Sequence, residues 1–299
     1  MDFRPAQAED AAEIAQLLNA VRHFPLVTPA DCVANLQKGP GCHAWVAREG
    51  GQTCYVQTYL HPYGGQMFWL ACRPADSLTL VESCLDFIEE WAKGQFLLLA
   101  SDKFPTLLTS LDRRDYLITS EEIPQSLDLT EGIDRQQGAD LLGRLRKQGF
   151  EFHTMDEVAS RSGVVESLHA LELEVARDVP RAVVRRQPTL SEFRQRLTEY
   201  QQHDRYWALV LHQAEVVASS QHLQRGPDYF YSFGTGVRRT MRGRGLALAA
   251  KVLALERIQA SGATRVDTSN EVENRAMLHI NQKLGFRPLG RQFYYLSPL

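Results

Sequence analysis

Residues 234–247 read Gly234-Thr235-Gly236-Val237-Arg238-Arg239-Thr240-Met241-Arg242-Gly243-Arg244-Gly245-Leu246-Ala247. The stretch before it, from Tyr229 to Val237, is rich in aromatic residues and reads as a strand. After it, Leu248, Val252, Leu255 and Ile258 recur at helical spacing until Gly262. A strand that runs through a glycine-rich turn into a helix aims unpaired N–H groups and the positive helix end at one spot. Such a spot binds phosphate. Gly243 and Gly245 have no Cβ, so an anion can approach the backbone closely. The arginines at 238, 239, 242 and 244 add mobile positive charge. No Gly-Lys-Ser/Thr follows the glycines and no GxGxxG is present, which argues against a P-loop and a dinucleotide fingerprint. A solvated basic turn, or a piece of an RNA-binding arginine–glycine segment, stays open on this stretch alone.

A second stretch narrows the choice. Residues 264–268 (Thr264-Arg265-Val266-Asp267-Thr268) read as a strand, followed by Asn270, Asn274, Met277, Asn281 and Leu284-Gly285-Phe286. Together the two stretches resemble the GNAT superfamily of acyl-CoA-dependent N-acyltransferases. Val237, Arg242, Gly243, Gly245 and Ala247 match its valine-ended strand and R-G-x-G-x-A turn. Asn274, Met277, Gly285 and Phe286 match its N-x-x-(A/M) helix ending in G-F. The specific likeness covers residues 234–286, with weaker agreement from about residue 150 onward.

The resemblance implies acetyl-CoA as cosubstrate, no metal, and direct attack by a primary amine of a small molecule, amino acid or peptide. It implies that the backbone of residues 242–247 holds the pyrophosphate. Gly236, Val237, Arg242, Gly243, Arg244, Gly245, Leu246, Ala247, Asn274 and Asn281 are the expected cofactor-binding residues. The strand ending at Val237 and the one at 266–268 are expected to splay into a V-shaped slot. An N–H near Gly236 or Val237 would then polarise the thioester carbonyl.

Two departures stand out. Thr240 replaces a common Gln or Arg. Asn281 stands where many relatives carry a tyrosine that protonates the departing thiolate, and an amide has no such proton to give. A base is also unassigned: Asp228, Glu271 and a water chain are candidates. Tyr231 is a further weak catalytic candidate, although it reads, like Tyr229, Tyr294 and Tyr295, as packing or substrate shaping. His222 reads as structural. Glu174 and Asp178 read either as greeting a cationic amine or as solvated helix charges.

The bulk numbers agree with a globular chain. Its 299 residues suggest two domains, and 44% hydrophobic with 23% charged residues is ordinary for such a protein. A formal charge of −3 gives no reason to expect a nucleic-acid partner. The apolar runs are far short of a membrane span, and no basic segment precedes an apolar core at the start, so a cytoplasmic protein without membrane contact is expected. The five cysteines, Cys32, Cys42, Cys54, Cys72 and Cys84, form no CxxC pair and read as buried free thiols.

Strand and helix patterns recur in the same order in the two halves, which predicts an internal repeat. The expected fold class is α/β, with a mixed α+β sheet. It comprises two GNAT-like domains in tandem, each a mixed, mostly antiparallel sheet flanked by helices. The expected domains are 1–130 and 139–299, with a linker over 124–138. In the first half Leu78 and Leu80 replace the two glycines, and Asp76 or Ser77 can cap the helix itself. That half therefore reads as a domain without a CoA cradle. Competing readings are a non-catalytic acyl-CoA-binding or sensing module and an RNA-binding protein. Either a monomer or a homodimer fits.

Overall fold

The computed structural model describes residues 1–23, 27–36, 41–60, 66–73, 78–132, 135–178 and 187–298. Two compact units emerge, one built from Met1–Pro124 with Leu289–Leu299, the other from Gln125–Pro180 with Gln187–Pro288.

The first unit opens with β1 (Arg4–Pro5), α1 (Ala11–Val21) and α2 (Pro29–Leu36). An antiparallel run of β2 (His43–Glu49), β3 (Gln52–Leu60) and β4 (Gln66–Ala71) follows. Then come α3 (Leu78–Ala92), β5 (Leu97–Ser101), α4 (Pro105–Arg113) and β6 (Leu117–Asp128). Spacing decides the helices: α1 buries Ile14, Leu17, Leu18 and Val21, and α3 buries Val81, Cys84, Leu85 and Ile88. The strands β4 and β5 run parallel and share only the rungs from Met67↔Leu97 to Trp69↔Leu99. What space remains beyond those rungs is a cavity of about 10 Å³, lined by Arg22, Trp69, Leu99, Ser101, Phe104 and Gln292. The Arg22 guanidinium lies 4.0 Å from the centre of the Trp69 ring. Such a volume holds about one water. The expected helix caps Asp76 and Ser77 lie outside the described residues.

All five cysteines are free, four buried and Cys42 half-buried. Cys54, Cys72 and Cys84 converge, their sulfurs within 4.8 Å of one another. Hydrogen bonding among these thiols, then burial, pushes the Cys72 thiol well up.

In the second unit the order is α5 (Arg135–Arg146), β7 (Phe150–Thr154), α6 (Met155–Val158), α7 (Val164–Ala176), α8 (Leu190–Tyr200), β8 (Trp207–His212) and β9 (Glu215–Gln224). It continues with β10 (Tyr229–Val237), α9 (Leu246–Ala260), β11 (Arg265–Glu271), α10 (Arg275–Lys283) and β12 (Arg287–Pro288). The strands lie in the order β7-β8-β9-β10-β11, antiparallel except for the parallel pair β10 and β11. The connection between that pair is α9, which buries Leu246, Ala249, Ala250, Val252, Ala254, Leu255 and Ile258. Its alanines let the helix lie close on β8 and β9. A capping box opens α8, with the Glu192 N–H donating to the Thr189 hydroxyl.

The chain passes between units at Pro124 and Gln125, the start of the expected linker over 124–138, and β6 runs on through the first part of that stretch. The final strand, β13 (Gln292–Leu296), belongs to the first unit, where it pairs with β5 through Tyr295↔Leu98 and with β6 through Tyr295↔Ile118. Burial is the reason: Tyr295 sits in the first unit's apolar core, and the Phe96 N–H donates to the Ser297 hydroxyl over 3.1 Å. No described helix is long and apolar enough to cross a membrane.

Candidate active site

The decisive feature is where β10 and β11 stop pairing. Their rungs are Tyr229↔Arg265, Phe230↔Val266 and Tyr231↔Asp267. Beyond Tyr231 the β10 strand keeps only its β9 neighbour, through Val237↔Ala218. The Ser232 carbonyl still accepts from the Thr268 hydroxyl of β11, and past it the β11 edge of β10 is open, which is the expected slot. A bulge interrupts β10 between Ser232 and Gly234, leaving the Phe233 ring 51% exposed. The Arg238 N–H donates to the Val217 carbonyl on the β9 side. Alternation along an antiparallel pair then turns the Thr235 and Val237 N–H groups toward the open edge.

The cradle lies at the end of the same strand. A short 3₁₀ turn, Arg239–Met241, leads into Gly243 and Gly245, with φ of +75° and +84°. That left-handed backbone favours glycine over any other residue. Gly245 is the N-cap of α9 and no side chain caps the helix. Among the described residues the N–H groups of 243–247 meet no acceptor. These are the free donors the sequence predicts.

The arginines are less free than expected. Arg239 and Arg242 both pair with Asp178, beyond the end of α7. The two guanidinium groups hold the Asp178 carboxyl well below the usual carboxylate range. The Arg239 N–H also donates to Glu174 Oε1 over 2.5 Å, and Arg238 lies 3.7 Å from the same carboxylate. Arg244 alone of the four is exposed with no ion pair among the described residues. Glu174 and Asp178 therefore neutralise the turn, which corrects both the fourfold mobile charge and their suggested role toward an amine.

Gly236 has a different purpose from the one expected. A Cβ there would stand 2.5 Å from Val175 Cγ2, so the glycine admits α7 against β10. Its N–H faces β9, and Val237 is the residue that offers an N–H to the slot. The Val237 side chain packs against the core beneath α9.

Asn274 caps α10, its Oδ1 accepting from the Met277 N–H over 3.3 Å. Asn281 is fully buried, and its Nδ2 donates to Gln125 Oε1 and Asn270 Oδ1, each over 2.8 Å. It thus presents no surface to a ligand, contrary to its expected place among the cofactor residues. Its two bonds tie α10 to β6 at Gln125 and to β11 at Asn270.

Among the base candidates, Asp228 fails on position. It stands at the closed end of the strand pair, where its carbonyl accepts from the Thr264 and Arg265 N–H groups. Nine residues of extended chain, roughly 30 Å, separate it from Val237. Glu271 ends β11 at the open side. By alternation it shares a face with Asp267, opposite Val266 and Asn270. Tyr231 lies on that same face at the last shared rung. Its neighbour Tyr229 is pushed up by burial and then by Asp267, so it stays protonated. Asp267 itself pairs with Arg265 at 2.9 Å.

Sequence reading missed one group. Lys251, on α9, is 1% exposed and donates to the Ser232 hydroxyl over 3.1 Å. The Thr268 hydroxyl donates to the Ser232 carbonyl over 3.1 Å. A lysine at position 251, four and seven residues before the buried Leu255 and Ile258 on one helix face, is the signal that could have found it. His222, expected to be structural, is fully buried beside Ser232 on β9. Burial, then the nearby Lys251, pushes its imidazole down to about 3.

The whole architecture has solved counterparts. The chain is similar to a GCN5-related N-acetyltransferase from Sphaerobacter thermophilus, at 15% identity and a TM-score of 0.77, covering 99% of this chain and 96% of that one. It is also similar to a tandem GNAT protein from the clavulanic acid biosynthesis pathway, at 19% identity and a TM-score of 0.66, with 99% and 98% covered. A GCN5-related N-acetyltransferase from Kribbella flavida aligns at 15% identity with a TM-score of 0.57, covering 98% and 95%. No family model matches the chain. No curated protein matches it by sequence. The fold is that of the tandem GNAT proteins.

Proposed function

We propose that the second unit transfers an acetyl group from acetyl-CoA to a primary amine of a small molecule, amino acid or peptide, by direct attack. One observation carries the reading: the parting of β10 from β11 ends beside a glycine-started helix whose first N–H groups have no acceptor. A diphosphate satisfies those donors without a side chain. The residues fit this group, because Gly243 has open space around the missing Cβ and at Gly245 only Leu141 comes near, at 3.4 Å.

Acetyl-CoA, when bound, supplies the activated thioester. The chain does the rest. Residues 243–247 bind the diphosphate through backbone N–H groups, with Arg244 as the free cation. Val237 offers its N–H to the pantetheine arm, which pairs with the open edge of β10 as an added strand would. Glu271, directly or through water, takes the proton that the acceptor ammonium must lose before attack. Alignment of the amine with the carbonyl supplies much of the rate. The first unit, with Leu78 and Leu80 in place of the two cradle glycines, takes no catalytic part.

A second reading, a non-catalytic acyl-CoA sensor, draws on the buried amide of Asn281 in place of an acid. A thiol-release assay over a panel of amines decides between them. Turnover with at least one amine supports the transferase; CoA binding without turnover on the whole panel supports the sensor. An RNA-binding role is disfavoured by the pairing of Arg238, Arg239 and Arg242 with acidic residues. Cytoplasmic location, and a monomer or homodimer, complete the proposal.

A further inference from the structure

Acyl transfer releases a sulfur anion that needs a proton, and Asn281 has none to give. Beneath the point where β10 and β11 part, another donor is in place. Lys251 is buried with no ion-pair partner among the described residues, its Nζ 5.3 Å from the centre of the Phe286 ring. Burying an unpaired ammonium is costly, and a methionine would fill the same space without that cost. Its Nζ donates to Ser232 Oγ over 3.1 Å. Because that oxygen accepts from Lys251, the Ser232 hydroxyl must send its own proton elsewhere. Among the described residues that proton meets no acceptor. Ser232 is also the first residue of β10 past the last rung shared with β11. Five steps of strand separate it from Val237, about 16 Å. A pantetheine arm has a comparable length, that of roughly four extended residues.

Resting on the acyltransferase reading, we propose that the Ser232 hydroxyl gives its proton to the departing sulfur, with Lys251 as the positioning residue behind it. As the acceptor nitrogen bonds to the acyl carbon, the carbon–sulfur bond breaks and its electron pair goes to sulfur. The Ser232 proton passes to that sulfur, and a Lys251 proton passes to Ser232 Oγ. The acceptor nitrogen sheds two protons, one before attack and one as the amide forms; the second balances the one that Lys251 regains from water, and the first is the net release. The pair thus replaces the tyrosine that Asn281 displaces.

Burial pushes the Lys251 ammonium down to about 7, which suits a group that gives and regains a proton near neutrality. The ionisable group bearing on it is His222 of β9, cross-strand from Ser232 and held neutral.

The test reads the sulfur without turnover. CoA bound to the full chain is titrated from about pH 6 to about pH 10 by the ultraviolet absorption of its thiolate. Ser232→Ala and Lys251→Met are compared with the unmodified chain. The bound thiol is expected to titrate about one pH unit higher in each variant. Calorimetric affinity for CoA at about pH 6, where the thiol is protonated, should change less than about threefold. Identical thiol titrations in all three chains overturn the proposal. Should Lys251→Met fail to fold, the Ser232→Ala comparison decides alone. Failure of the unmodified chain to bind CoA is a different result: it removes the acyltransferase reading and the proposal with it.

Discussion

Single residues set the electrostatics of this site, and Asp178 sets more of it than any arginine. By pairing with Arg239 and Arg242 it removes two positive charges from the turn that opens α9. Its carboxyl is held so low that it stays ionised throughout the physiological range, so the neutralisation is permanent. Asp178→Asn should therefore tighten CoA binding about threefold at low ionic strength, with the gain vanishing in high salt as the freed charges are screened. Isothermal calorimetry at two salt concentrations checks this. Lys251 bears on stability. Its ammonium titrates near 7 in the fold and near 10.4 in an unfolded chain. Between those values the unfolded state binds more protons, so stability rises with pH across that window. The melting temperature of the unmodified chain should climb by about 5 °C or more from pH 7 to pH 10 relative to Lys251→Met. Parallel curves for the two chains would mean that the lysine is charged in both states.

At the scale of elements, β10 and α9 were legible because their patterns are strong. The aromatic run from Tyr229 and the periodic Leu248, Val252, Leu255 and Ile258 leave little choice, and Gly243 and Gly245 mark a backbone only glycine adopts readily. β6 was not legible. Its residues 117–128 are mostly polar, include Pro124, and leave Leu117 66% and Ile118 54% exposed, so no alternation marks a buried face. The role of Gly236 was hidden for another reason: its neighbour Val175 is 61 positions away, and no local pattern reports such a contact. Gly236→Ala should destabilise by about 1–3 kcal/mol through overpacking against α7. The double variant with Val175→Ala should recover most of that loss, and a denaturant-melt double-mutant cycle measures the coupling. Additive effects would mean that α7 does not press on β10 at this point.

For the whole molecule, the division into two units was readable from element order, while the exchange at the chain's end was not. Strand β13 lies more than 160 residues from its partners in β5 and β6, and sequence patterns carry no register over such separations. Removing residues 289–299 should leave β5 and β6 without the strand between them. The truncated chain is expected to lose the first unit's unfolding transition in calorimetry while the second unit's transition persists. Two intact transitions would show that β13 contributes nothing to the first unit. The slot residues were legible in kind, as glycines and a strand end. The groups around them, Asp178, Lys251 and the inward amide of Asn281, follow from packing between elements and could be known only once the elements were placed.

The central claim is that the bare start of α9 grips a diphosphate. Calorimetric titration of CoA into the unmodified chain and into Gly245→Glu tests it most directly, with thermal melts confirming that both are folded. A carboxylate at that position repels phosphate and crowds the N–H groups, so the account predicts binding to the first and a loss of at least about a hundredfold in the second. Equal affinity in the two folded chains would contradict it.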